Sequence, residues 1–105
     1  MYRVTTPTHT FVLPIQTNTC KEIQVTYEQG ELQIIKHYQD NNLPSGMTLD
    51  GKNVVIKLTQ EETKGFSPKK DVKAQVRVLT DNNEAYASRA FNVSVQDVLN
   101  GEILS

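Results

Sequence analysis

The residues able to do chemistry are few and scattered. His9 and His37 are the only histidines in the 105-residue chain. They fall on different predicted strands, and neither has the close His or Cys neighbour that zinc motifs use. A Ser-His-Asp set can be assembled only by picking residues from across the chain, without a nucleophile elbow to support it. Asp40-Asn41-Asn42 and Asp81-Asn82-Asn83-Glu84 offer oxygen atoms of the kind calcium takes. Neither has the alternating ligands and distant bidentate Glu of a calcium loop, and Asp and Asn suit turns for backbone reasons alone. The five glycines are dispersed beside turn residues, so no loop is built to cradle phosphate. Cys20 stands alone, which excludes an internal disulfide. It fits a reducing compartment. With only Lys21 beside it, it reads as a small, partly buried turn residue and not as an activated thiol. The expectation is a protein with no catalytic residue, no cofactor and no metal.

Charge narrows the partners. The net charge is −1 and the isoelectric point is near 6.1, so no long-range pull toward nucleic acid or an anionic membrane is expected. Lys64, Lys69, Lys70, Lys73 and Arg77 do gather in one stretch. Glu61, Glu62 and Asp71 dilute them, and the aromatic platforms of a nucleic-acid face are missing there. That cluster reads as a solvated surface. Met1–Pro7 has no apolar signal core, and no apolar run approaches the roughly 18–20 residues that a membrane span needs. The expectation is one soluble domain over residues 1–105, made in the cytoplasm.

The elements that would position any site are short and extended. Val72–Thr80 sets the pattern: Val72, Ala74, Val76 and Val78 alternate with Lys73, Gln75 and Arg77, the two-residue period of a half-buried strand. Thr8–Leu13 reads as the first strand, with Phe11 and Leu13 on one face, and Pro14 either ends it or marks a sheet edge. Glu22–Glu28 points Ile23, Val25 and Tyr27 one way. Gln29-Gly30 turns the chain into Glu31–Tyr38, where Ile34-Ile35 breaks the phase. Either a bulge shifts the register there or Ile35 points outward. Met47–Leu49 and Val54–Leu58 flank Asp50-Gly51, a strong hairpin signal. Thr59-Gln60-Glu61-Glu62 matches a capping box, predicting one helical turn over Gln60–Lys64. Gly65 would end it in a left-handed conformation, and Phe66 would plug the core edge. Ala85–Val95 reads as one long strand, with a bulge near Ser88–Ala90 keeping Arg89 out of the core. About seven short strands and no helix of ten residues predict an antiparallel β-sandwich.

Several apolar residues fall on the wrong face for such a core. Val12, Ile35, Val55 and Leu79 oppose the main apolar set of their strands, and Val98, Leu99, Ile103 and Leu104 crowd the tail 96–105. Single exposed apolar residues are ordinary. Several on strands, plus an apolar tail, point to contact with protein partners: another copy, giving a homo-oligomer, or a different chain. A second reading is a carbohydrate- or host-surface-binding module that uses Tyr27, Tyr38 or the Asp/Asn loops.

A resemblance bears on the choice. Thr5-Thr6-Pro7, Leu49-Asp50-Gly51-Lys52-Asn53-Val54, Leu58-Thr59-Gln60-Glu61-Glu62-Thr63, Val76-Arg77-Val78-Leu79-Thr80 and Val93-Ser94-Val95 together resemble small β-sandwich structural proteins of phages and prophages of Gram-positive bacteria. The chain is also similar to the N-terminal immunoglobulin-like domain of baseplate upper proteins, without the long extension that follows it there. The resemblance implies an immunoglobulin-like sandwich with one helical turn. It also implies a non-catalytic tail, baseplate or virion-associated role, exercised through contacts with itself or with other phage structural proteins. It carries over no catalytic residues.

Overall fold

The structure, a computed structural model, describes residues Met1–Ser105. Eight strands are arranged in two antiparallel sheets. β1 (Thr8–Val12), β5 (Asn53–Lys57) and β4 (Met47–Asp50) form a three-stranded sheet in the order β1-β5-β4. β3 (Leu32–Gln39), β2 (Cys20–Gln29), β6 (Val72–Thr80) and β7 (Ala85–Ala87) follow one another in the second sheet, and β8 (Phe91–Val93) also pairs with β6. The one α-helical turn, α1 (Gln60–Lys64), bridges the sheets between β5 and β6.

This order is that of an immunoglobulin sandwich. β1, β5 and β4 stand where strands B, E and D stand, and β3, β2, β6 and β7 take the places of C′, C, F and G. Strand A, which would flank B, has no counterpart among the strands. The N-terminal segment instead makes a single parallel bridge, Tyr2 with Gln96.

The core follows from the alternation. Ile23, Val25 and Tyr27 of β2 and Val72, Ala74, Val76 and Val78 of β6 face Val54 and Ile56 of β5, with Leu58 and Phe66 closing one end; all are buried. Fully burying each such apolar side chain contributes about 1.5–3 kcal/mol. Two of the three hairpins, β2–β3 and β4–β5, turn on glycines that take positive φ. Gly30 (φ +60°) lies between Gln29 and Leu32, and Gly51 (φ +59°) lies between Asp50 and Asn53. Gly46 (φ +84°) is held by space as well, because a Cβ there would lie 2.4 Å from the Lys57 carbonyl oxygen.

The capping box forms as its spacing predicts. The Glu62 amide donates to Thr59 Oγ1 at 3.1 Å, and the Thr59 amide donates to Glu62 Oε1 at 2.9 Å. Two local readings are corrected. Gly65 is right-handed (φ −68°, ψ −21°), not left-handed. Its amide still satisfies the Glu62 carbonyl at 3.3 Å, and the left-handed residue comes later, at Lys69 (φ +67°). The long last strand is broken into β7 and β8. Arg77 pairs with Ala87, whereas Ala74 pairs with Phe91, so one extra residue lies between the two pairings. Ser88 fills that bulge. Its amide donates to the Val76 carbonyl at 2.8 Å and its hydroxyl accepts from the Val76 amide at 3.0 Å. Arg89 is exposed there.

Candidate protein-contact surfaces

The apolar residues singled out as contacts lie in three places, not one. Val55 sits on the outer face of the three-stranded sheet, between Thr10 and Thr48, and is half-buried. Ile35 and Leu79 lie on the outer face of the other sheet, on the far side of the sandwich. Register across β2–β3 is continuous, so Ile35 is an outward residue and no bulge is involved; it is 50 % exposed. Leu79 is half-buried beside Glu22 and Ala85. The polar pair His37–Glu22 lies on the same face, with His37 Nε2 2.8 Å from Glu22 Oε1.

The tail is clasped without forming a strand. Arg3 Nη1 donates to Asp97 Oδ1 at 2.7 Å, and Arg3 Nη2 donates to the Lys64 carbonyl at 2.8 Å. The hydrogen bond from Arg3, with help from the Val98 amide, holds the Asp97 carboxyl below the usual Asp range. Further on, the Gln60 side chain mimics a strand, donating to the Leu104 carbonyl at 2.7 Å and accepting from the Leu104 amide at 2.9 Å. Val98 is half-buried, while Leu99, Ile103 and Leu104 stay exposed.

Two chemical groups prove structural. His9 faces inward from β1, and its Nδ1 lies 2.8 Å from the Tyr27 hydroxyl, a link between the two sheets. Burial lowers the His9 pKa, with the N-terminal charge adding to it. Burial, and then Glu62, push the Tyr27 phenol well up. Both groups are therefore neutral near pH 7, and the imidazole tautomer sets which of them donates. This corrects the sugar-stacking expectation for Tyr27, which is fully buried and has no face to offer. Tyr38 is half-buried, with its hydroxyl donating to Asn41 Oδ1 at 3.1 Å. Cys20 is buried at the start of β2, and burial, with Asp81 adding, pushes its thiol up. No three His, Cys, Asp or Glu side chains come together, and no helix is long and apolar enough to cross a membrane.

The sequence reading missed the side of the sandwich between β1 and β7–β8. Two adjoining hollows of about 570 and 450 Å³ run along it, sharing Val12, Leu13, Val76 and Ser88. Tyr86 (51 % exposed), Phe91 (40 %) and Val12 (73 %) line its rim. The Phe11 and Phe91 rings meet across it, their centroids 6.1 Å apart. By the two-residue period Phe91 shares a face with Val93 and with the buried Val95. The bulge at Ser88 and the missing strand A leave it at the open edge.

Compared with known proteins, no family model matches the chain and no curated protein matches its sequence.

Proposed function

We propose that this is a non-catalytic structural protein of a phage or prophage, part of a tail, baseplate or virion, working through protein–protein contacts. The observation that carries the contact reading is the apolar surface left open on a well-packed sandwich. Val12, Tyr86 and Phe91 at the open side, and Leu99 and Leu104 in the tail, are all exposed. Exposed apolar side chains gathered beside an open edge are the mark of a contact surface. The phage assignment rests on the resemblance in sequence. Quantitative mass spectrometry of purified particles, from a host carrying the encoding phage or prophage, tests it. Copies of the chain in fixed proportion to the tail proteins are expected. A chain abundant in the lysate but missing from the particles overturns the reading.

A further inference from the structure

We propose that β1 is a pairing edge and that its occupant is a second copy of this chain, β1 against β1 antiparallel across a two-fold axis at Thr10. This names the partner for the protein-contact reading and rests on that reading, though not on the phage assignment.

The backbone carries the argument. The Leu13 amide donates to the Lys52 carbonyl at 2.8 Å, and the Leu58 amide donates to the Pro7 carbonyl at 3.1 Å. In the continuous β1–β5 register, these bonds fix the odd-numbered residues of β1 as the ones bonded to β5. Thr8, Thr10 and Val12 therefore turn their amides and carbonyls away from β5, where strand A would lie. None of those groups has an intramolecular partner. Pro7 and Pro14 bracket the edge and set its length.

The other edges are guarded and this one is not. Natural edges are blunted by shortness, bulges or inward charges. β4 is four residues long and ends on Asp50. β7 is three residues long and runs into the Ser88 bulge. β3 turns Lys36 inward to Glu62, Nζ to Oε2 2.8 Å. β1 reads Thr-His-Thr-Phe-Val, regular and free of Asp, Glu, Lys and Arg. Its composition also suits itself as partner. Antiparallel pairing about Thr10 sets Thr8 opposite Val12 and His9 opposite Phe11 of the second copy, so no like charges meet. The result joins two three-stranded sheets into one of six strands. Val12, Tyr86 and Phe91 supply apolar surface beside the seam. Five-residue strands bury little area, so the expected dissociation constant is on the order of micromolar.

Sedimentation of the full chain, from about 1 µM to about 1 mM, should show a monomer–dimer equilibrium. Thr10→Lys places two like charges at the axis and should weaken the dimer about tenfold or more. Circular dichroism and urea unfolding check that the variant is folded. Thr10→Cys supplies a test that does not depend on weakening: air oxidation should yield a disulfide-linked dimer. Thr48→Cys, in the same outer row but on the far edge, should not, and native Cys20 is buried. A monomer throughout, a dimer indifferent to Thr10→Lys, or a dimer lost only when the chain is cut after Gln96 would overturn the proposal. A failure of the phage reading shows separately, in the particles.

Discussion

At the scale of single residues, the most informative pair is His9 and Tyr27, because it turns a candidate catalytic group into a pH-sensitive tie between the sheets. Burial lowers the His9 pKa from 6.5, so the unfolded chain takes up the proton more readily than the folded one. The sign follows: stability is full above about pH 6.5 and declines as pH falls below it, until the folded-state pKa is passed. Urea unfolding from pH 8 to pH 5 should show this decline, and His9→Gln, which cannot titrate there, should flatten it. A decline unchanged in His9→Gln would assign it to other groups. Glu62 acts lower on the scale. Its burial raises the carboxyl, and the Lys36 ammonium with the Thr59 amide and hydroxyl outweigh that and bring it below 4.5, so its contribution is lost only in stronger acid. The capping half of the Glu62 site, Thr59 with Glu62, was legible in the sequence; the Lys36–Glu62 and His9–Tyr27 ties were not. A histidine on an alternating strand announces its face. It does not announce that Tyr27, on the other sheet, ends within 2.8 Å of it.

At the scale of elements, what the sequence made legible was what short-range physics decides. The capping box, the Gly51 hairpin and the alternation of β2, β5 and β6 depend on residues within one turn or one strand, and each formed where its spacing put it. The misreadings occurred where distant segments decide. Ala85–Val95 alternates well enough to be one bulged strand, and the bulge does fall at Ser88, which bonds both backbone groups of Val76, but the pairing stops there and resumes as a separate short strand, Phe91–Val93. Val4, a β-branched residue, is driven to φ +58°, a conformation costing of order 1–3 kcal/mol. The Thr63 hydroxyl steadies the chain there, accepting from the Thr5 amide at 3.0 Å and donating to the Thr5 carbonyl at 2.9 Å. These two classes of element predict different mutational behaviour. Thr59→Ala removes the cap from an exposed helical turn and should cost about 1 kcal/mol. Ser88→Ala leaves the partly buried Val76 amide without its hydroxyl acceptor and should cost about 1–3 kcal/mol. It should also speed amide hydrogen exchange at the β6–β7–β8 junction, which Thr59→Ala should leave unchanged. Equal and global exchange effects in both variants would count against this division.

At the scale of the whole molecule, the two chain ends share one junction, and they are not equivalent. The N-terminal end is built in. The Met1 ammonium donates to the Ser94 carbonyl at 2.6 Å, the Arg3 amide donates to the Gln96 carbonyl at 2.9 Å, and the Gln96 amide donates to the Met1 carbonyl at 2.8 Å. Val4 is buried beyond them. The tail after Gln96 contributes less: the Asp97 ion pair and the Gln60 clasp, both at the surface, where water and salt screen such contacts. Cutting the chain after Gln96 should therefore lower the urea-derived stability by no more than about 1 kcal/mol. Removing Met1–Val4 should cost several times as much, since it deletes backbone pairing and a buried Val together. If the first cut proves as damaging as the second, the tail is part of the fold, and its apolar residues need no outside partner. If it is as mild as the contacts imply, Leu99, Ile103 and Leu104 do little for the folded chain alone. They are then free to make the partner contact proposed above, and the truncated protein, folded as before, becomes the reagent that separates a role for the tail from a role for the β1 edge.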